Sequence, residues 1–375
     1  GSNHEKRTIE MIRKISHRLA GAVALAMLLA ACGGADAADA GDDDAAETTV
    51  TAAAESTETT APAESGAAEA PETTEAAAGG DDWPDTLVFA AVPSAEEGTL
   101  QDSYAPILQV LSEDLGVEIE FFLASDYAGV VEGMIAGNID IAQFGPFAYV
   151  IAVGNGADIE PVGVMVDGID AEPGYRAYGI TGVDTDIASI EDFDGRNICF
   201  VDPGSTSGYL YPSAGLLAAD IDPETGVSPV FAGGHDAAVL SVANGTCEAG
   251  FAFDAMITTL LPDAGEIAGV VDEVEDENVN PDSADVRIVW KSEVIAGSPL
   301  AIQSSLPADM IAEVSRILIE EANVDALIER GICASEDDCQ LTDEGVWGYA
   351  FRDDSFYDGV RAVCELTQAA SCDGL

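Results

Sequence analysis

The sequence predicts an α/β protein of two lobes, each a mostly parallel sheet flanked by helices, with a ligand cleft between them. Three observations predict it. From Thr86 onward, short apolar stretches of strand length alternate with helix-length stretches, the pattern of parallel sheets covered by helices. The pattern occurs twice. "AGNIDIAQFGP" (136–146) and "NGTCEAGFAFD" (244–254) share a Gly turn, an acid three residues on, and an apolar strand that ends in a special residue. The stretch from Asp85 to Leu375 is also long enough for a two-lobed unit.

In the first set, "TLVFAAVP" (86–93), "VEIEFFLAS" (117–125) and "IDIAQFGP" (139–146) read as strands, with helices over 103–114 and 127–137. In the second, "NICFVDPG" (197–204), "SPVFAGG" (228–234) and "CEAGFAFD" (247–254) are strands, with helices over 208–219 and 235–244. The first lobe is expected to run over 85–180 and take the chain back over 297–375; the second covers 181–296. Crossings near Tyr178–Gly182 and Ser292–Gly297 would form the hinge. Open α/β sheets bind ligands beyond the carboxyl ends of their strands. Those ends lead into Ser205, Thr206, Ser207 and Gly208, into His235, and into Asp254 in the second lobe. In the first they lead to Tyr127, Phe144, Gly145 and Tyr149.

Ahead of the folded region, Arg13, Lys14 and Arg18 precede an apolar run from Leu19 to Ala31, too short to span a bilayer but shaped as a signal-peptide core. Residues 1–31 are therefore expected to be a signal peptide. Those before Met11 fit a cloning scar or a misplaced start and are left out of fold reasoning. The run ends in Leu29, Ala30, Ala31, Cys32, which resembles a bacterial lipobox and implies that Cys32 carries a lipid. Residues 32–84 would then be an acidic, disordered tether, because Ala, Gly, Thr, Ser, Pro and acids bury too little apolar surface to offset their ordering entropy. Such a tether reaches roughly 40 Å. The location expected is the outer face of the cytoplasmic membrane, with contact through the lipid alone.

The formal net charge is −57, and of the basic residues that follow Cys32 only Lys291 is a lysine. No basic patch is available to neutralise phosphates, which excludes nucleic acid as a partner. The acids are spread along the chain, as on a solvated surface, and do not form a metal site. Six cysteines remain beside Cys32 and allow fifteen pairings. Spacing prefers Cys333 with Cys339 and Cys364 with Cys372, which leaves Cys199 with Cys247 at the starts of strands that a 2-1-3 order makes neighbours. Nothing calls for a metal or a cofactor.

"FVDPGSTSGYLYPSAGLL" (200–217) passes from a strand through glycine and three hydroxyl residues into a helix. A helix start has free N–H groups and the positive end of the helix dipole, so it can hold an anion; it can equally be an ordinary N-cap. Its position facing His235 and Asp254 favours an oxyanion.

The words "SDYAGVVEGM", "IDIAQFGPFAY", "DPGSTSGYLYP", "AGGHDAAVLSVANG" and "WKSEVIAGSPLAI", spread over 86–330, resemble the phosphonate/phosphite/phosphate-binding proteins of bacterial ABC importers. These form a type II periplasmic-binding-protein family. The resemblance implies that Ser205, Thr206 and Ser207 with nearby amides of Gly208 and its neighbours hold phosphoryl-type oxygens, that Tyr127 donates from the opposite wall, and that His235 binds another oxygen. Phe144 stands where relatives often have a tyrosine. Asp254 matches an acid that receives the amine in aminophosphonate binders, and Ser298 stands where those binders have a second acid. The expected function is capture of a phosphorus oxyanion and delivery to an ABC importer permease, by a monomer. Another small oxyanion, such as a sulfonate or nitrate, is the alternative. A transferase or hydrolase is disfavoured, because no nucleophile elbow, paired metal ligands or cofactor loop occurs; the chain is read as no enzyme.

Overall fold

The computed structural model describes residues 82–372 apart from 96, 275–283 and 337, together with residue 80. The expected signal peptide, Cys32 and the tether as far as residue 79 lie outside the described residues. Trp83, at the expected end of the tether, packs against the first core.

The chain first lays down β1 (Thr86–Ala91), α1 (Glu97–Leu115), β2 (Glu118–Leu123), α2 (Tyr127–Ile135), β3 (Ile141–Gln143), α3 (Pro146–Gly154) and β4 (Ile159–Val166). It crosses through β5 (Gly174–Tyr175) into β6 (Ala177–Gly182), β7 (Asn197–Phe200), α4 (Tyr211–Ala218), β8 (Ser228–Phe231), α5 (His235–Ala243), β9 (Ala249–Phe253), α6 (Leu261–Ala264), β10 (Val270–Asp272) and β11 (Val286–Lys291). It returns through β12 (Ile295–Ala296) to β13 (Pro299–Gln303), α7 (Ala308–Glu320), α8 (Val324–Glu329), β14 (Gly348–Ala350) and α9 (Asp358–Thr367).

The first sheet is ordered β14-β4-β13-β3-β1-β2 and the second β10-β11-β6-β9-β7-β8. In each, the central strand is parallel to both neighbours, β1 to β2 and β3, β7 to β8 and β9. Alternation decides what these strands bury. Leu87 and Phe89 face one core, with Ala90 on the other side; Ile198 and Phe200 face a third cluster, with Cys199 and Val201 on the other side. Gly137 and Gly245, at φ of 68° and 76°, turn the chain from α2 and α5 toward β3 and β9. Positive φ is cheap only without a Cβ, which explains the repeated glycine.

The sheets are more mixed than the sequence suggested. β13 is antiparallel to β3 and β4, and β6 is antiparallel to β9 and β11. The crossings explain this: β6 and β13 each enter their sheet at the cleft end, so they run away from it while β1, β3, β7 and β9 run toward it. The crossings pair with each other as β5 and β12.

Two boundaries need correction. The division expected at 180/181 falls inside β6, whose residues Ala177 to Thr181 all pair with β9. The chain therefore leaves the first sheet after Val166 and joins the second at Ala177, with β5 in a separate two-stranded pairing between them. The segment 297–375 does not belong wholly with the first sheet either. α9 packs against both α3 and α4, because Val360 and Cys364, one helical turn apart, bury on one face with Phe147 and Leu210. Ala369 then packs in the second lobe's cluster with Phe200 and Leu216. Disulfides join Cys199 to Cys247, Cys333 to Cys339 and Cys364 to Cys372.

Candidate functional site

The turn after β7 is built by its own side chains. The Asp202 carboxylate accepts from the Gly204 N–H at 2.7 Å, and the Ser205 hydroxyl caps the next helical turn by accepting from the Gly208 N–H at 3.1 Å. The cap opens a wide π turn, Thr206–Leu210, that runs into α4. Ser205, Thr206 and Ser207 are buried and line a pocket with about 370 Å³ of atom-free space, part of it open to solvent. Gly208 is not in the lining. A Cβ there would meet Val201 at 2.3 Å, so this glycine lets the turn press against β7, and its amide is occupied by Ser205.

His235, the first residue of α5, lines the same pocket. Burial pushes its imidazole down to about 3, so the ring is neutral at physiological pH. Its Nδ1 accepts from the Phe253 N–H at 3.3 Å, which puts the proton on Nε2 beside Ser205 Oγ at 3.4 Å. The ring is an aimed neutral donor.

The opposite wall comes from the first lobe. Tyr127, the first residue of α2, lines the pocket with its hydroxyl beside Ser205, and burial and then Asp202 keep the phenol protonated. Phe144 and Gly145, at the end of β3, supply an apolar patch and a bare backbone. The walls touch. Phe147 N–H, in the first turn of α3, donates to Thr206 Oγ1 at 2.8 Å, and His235 N–H donates to the Ser94 carbonyl at 2.7 Å. Thr206 thus accepts through its oxygen, with the Tyr175 hydroxyl beside it.

Asp254 is placed differently from expectation. Its carboxylate accepts from the Arg176 N–H at 3.1 Å and the Ala255 N–H at 3.0 Å, so it ties β9 to the incoming crossing and stays out of the lining. Phe253 takes its place at the pocket. Tyr149 also turns away, donating to Asp354 at 2.9 Å and packing on Tyr357.

Sequence reasoning missed Ser94, Tyr104, Gln143, Tyr175, Asp343 and Glu344, all of which line the pocket. Ser94 follows β1 as Ser205 follows β7, and that correspondence could have found it. Tyr175 sits on β5 beside Thr206 and Ser207. Asp343 and Glu344 arrive from the loop before β14, far along the chain from every other member, and carried no local signal. Asp343 accepts from Ser94 Oγ and from Tyr104 OH, the latter at 2.6 Å. Glu344 accepts from Ser298 Oγ at 2.7 Å. Burial, and then the neighbouring Asp343, hold the Glu344 carboxyl above the ordinary carboxylate range.

The lining therefore combines hydroxyls, a neutral imidazole, aromatic walls and two acids, with no lysine or arginine among them. Residues 89–331 match the family model described as ABC transporter, phosphonate, periplasmic substrate-binding protein. The chain belongs to that phosphonate-binding family. Over 300 residues it is 43 % identical to the phosphate-import protein PhnD of Mycolicibacterium smegmatis, covering 78 % of this chain and 89 % of that one. Over 226 residues it is 26 % identical to the phosphonates-binding periplasmic protein of Escherichia coli, covering 59 % and 61 %. Among solved structures, PhnD1 of Prochlorococcus marinus in complex with methylphosphonate superposes with a TM-score of 0.58 at 17 % identity, over 76 % of this chain and 99 % of that one. That likeness supports the fold, which is the type II periplasmic-binding-protein fold of the phosphonate-binding family.

Proposed function

We propose that the pocket captures a phosphorus oxyanion, and that the lobes close around it and present it to an ABC importer permease. One observation carries the reading: the neutral donors of Ser205, Thr206, Ser207 and His235 converge on one small pocket between two sheets. Neutral donors in a dry site stabilise an anion through charge-assisted hydrogen bonds, and no cation is required. The protein's strong negative charge does not prevent this, since at physiological salt the screening length is about 8 Å and distant carboxylates act weakly. The relatives named for phosphate and phosphonate point the same way.

The hinge in this reading is the paired crossing of β5 and β12, with α9 moving against one of the two helices it touches. Residues 85–176 with 297–356 form one lobe and 177–296 the other. The chain acts as a monomer, performs no chemistry on its ligand, and is held at the outer face of the cytoplasmic membrane by a lipid on Cys32. Calorimetric titration with phosphate, phosphite, methylphosphonate, 2-aminoethylphosphonate, sulfate and an alkylsulfonate tests the ligand class. Tightest binding of the sulfonate would overturn it. Cys32→Ser should release the full-length chain from membranes, and a variant that stays membrane-bound after a carbonate wash would remove the anchor.

A further inference from the structure

Two acids in a pocket for an anion need an explanation. Asp343 is only 5 % exposed and Glu344 stands next to it in the lining. Other acids surround them. Asp236 on α5 and Tyr104 and Tyr349 act on Asp343, while Asp254, Asp167 and Tyr175 act on Glu344. No lysine or arginine lines the site to offset them. A ligand oxygen that carries only negative charge would meet like charge in a dry site, which is strongly unfavourable. A proton lying between each acid and the oxygen it faces turns the same approach into a short, strong hydrogen bond.

We propose that Asp343 and Glu344 read the protons of the ligand, so that the pocket takes phosphate in its hydrogen-carrying forms and rejects an oxyanion of like shape that has none, such as sulfate. The inference rests on the oxyanion reading of this pocket and names the ligand within that class. An ionised acid accepts from P–OH; a protonated one donates to a ligand oxygen. Phosphate brings at least one P–OH at any pH near neutrality, whereas sulfate brings none and depends wholly on protons that the acids themselves carry. The local bonds fit this role. Ser94 and Tyr104 already donate to Asp343 and Ser298 to Glu344, so both carboxyls are held in place before a ligand arrives. The acids could instead receive an ammonium group, but an aminoalkyl arm would have to fit between walls already joined by the bonds from Phe147 to Thr206 and from His235 to Ser94.

The test is calorimetric titration of the purified full chain with potassium phosphate, sulfate, phosphite and 2-aminoethylphosphonate at pH 6 and pH 8. Phosphate should bind more tightly than sulfate by about tenfold to a hundredfold for each acid. Glu344→Gln and Asp343→Asn should each narrow that ratio by about tenfold, mainly by weakening phosphate. Phosphite, which loses its only P–OH between pH 6 and pH 8, should lose more affinity over that range than phosphate does. An unchanged phosphate-to-sulfate ratio in variants that melt like the parent would overturn the proposal. So would equal losses of phosphate and phosphite with pH, or tightest binding of the aminophosphonate with a loss of that preference in Glu344→Gln. If neither variant folds, the comparison of phosphate with phosphite on the unmodified chain decides. Failure of the unmodified chain to bind any phosphorus oxyanion would instead remove the broader reading of the pocket.

Discussion

The two lobes are the same device built twice, and they differ where they face the ligand pocket. Read from the edge, β2-β1-β3-β13-β4 in one sheet matches β8-β7-β9-β6-β11 in the other. Equivalent positions reach the pocket from both sides: Ser94 after β1 and Ser205 after β7, Tyr127 at the start of α2 and His235 at the start of α5, Phe144 after β3 and Phe253 at the end of β9. The second lobe adds Thr206 and Ser207 and becomes the donor wall. The first lobe adds Asp343 and Glu344, from a loop with no counterpart in the repeat, and becomes the wall that accepts. Duplication set where side chains enter the cleft, and later parts of the chain decided what one wall can do there.

The largest expected effect separates the lobes in stability. β7 and β9 are joined through Cys199 and Cys247 across a sequence separation of 48, whereas β1 and β3 are held by strand pairing without a disulfide, with Phe89 opposite Ile141. Replacing both cysteines with serine should lower stability by about 4 kcal/mol on the chain-entropy scale. Urea unfolding measures it, and a loss below about 1 kcal/mol would mean that the second lobe packs as independently as the first.

Next come the two roles mixed in the donor wall. Ser207→Ala should remove a donor inside a closed site and weaken phosphate binding by about 1.5 to 3 kcal/mol, or roughly tenfold to a hundredfold, with apo melting unchanged. Ser205→Ala should weaken binding similarly and also lower apo stability by about 1 kcal/mol, because Ser205 caps the turn that follows it. Equal apo melting in both variants would show that the cap contributes nothing.

The smallest effect distinguishes the matched pair Tyr127 and His235 by pH. The folded value of His235, about 3, lies below its ordinary value of 6.5. Its contribution to stability is therefore complete above about pH 6.5 and is lost as the pH falls toward the folded value, at about 1.4 kcal/mol per unit of pH. By pH 5 the unmodified chain should have lost about 2 kcal/mol relative to His235→Gln. The phenol of Tyr127, raised further by burial, adds nothing to that window. Parallel melting of the two proteins from pH 7 to pH 5 would show that the imidazole charges without penalty and is not the dry donor described here.

Much of this molecule is legible one residue at a time. Strand alternation, the helix-length spacers and the Gly turns at Gly137 and Gly245 are local consequences of sterics and periodicity, and they sufficed to find both repeats. The hydroxyl run at Ser205 to Ser207 and the position of His235 are local as well, since each follows a strand directly. One misreading has a distant cause and one a near cause. Asp254 ends its strand as a ligand residue would, yet its carboxylate meets the Arg176 N–H of a crossing 78 residues earlier, and no local pattern announces that partner. Gly208, whose amide was expected on a ligand oxygen, instead donates to Ser205 and makes room for Val201 in the same turn.

What the sequence by itself determined is the α/β class, the duplicated unit and the placing of Ser205 to Ser207 and His235 at the pocket, because these follow from periodicity, turn sterics and the order of neighbouring residues. Only the tertiary structure decided the antiparallel entry of β6 and β13, the seat of α9 on both lobes and the arrival of Asp343 and Glu344 beside the donors. Those depend on where distant segments meet after two crossings between sheets. Desolvation, which holds the imidazole of His235 neutral and raises the carboxyl of Glu344, exists only once those segments have closed around them.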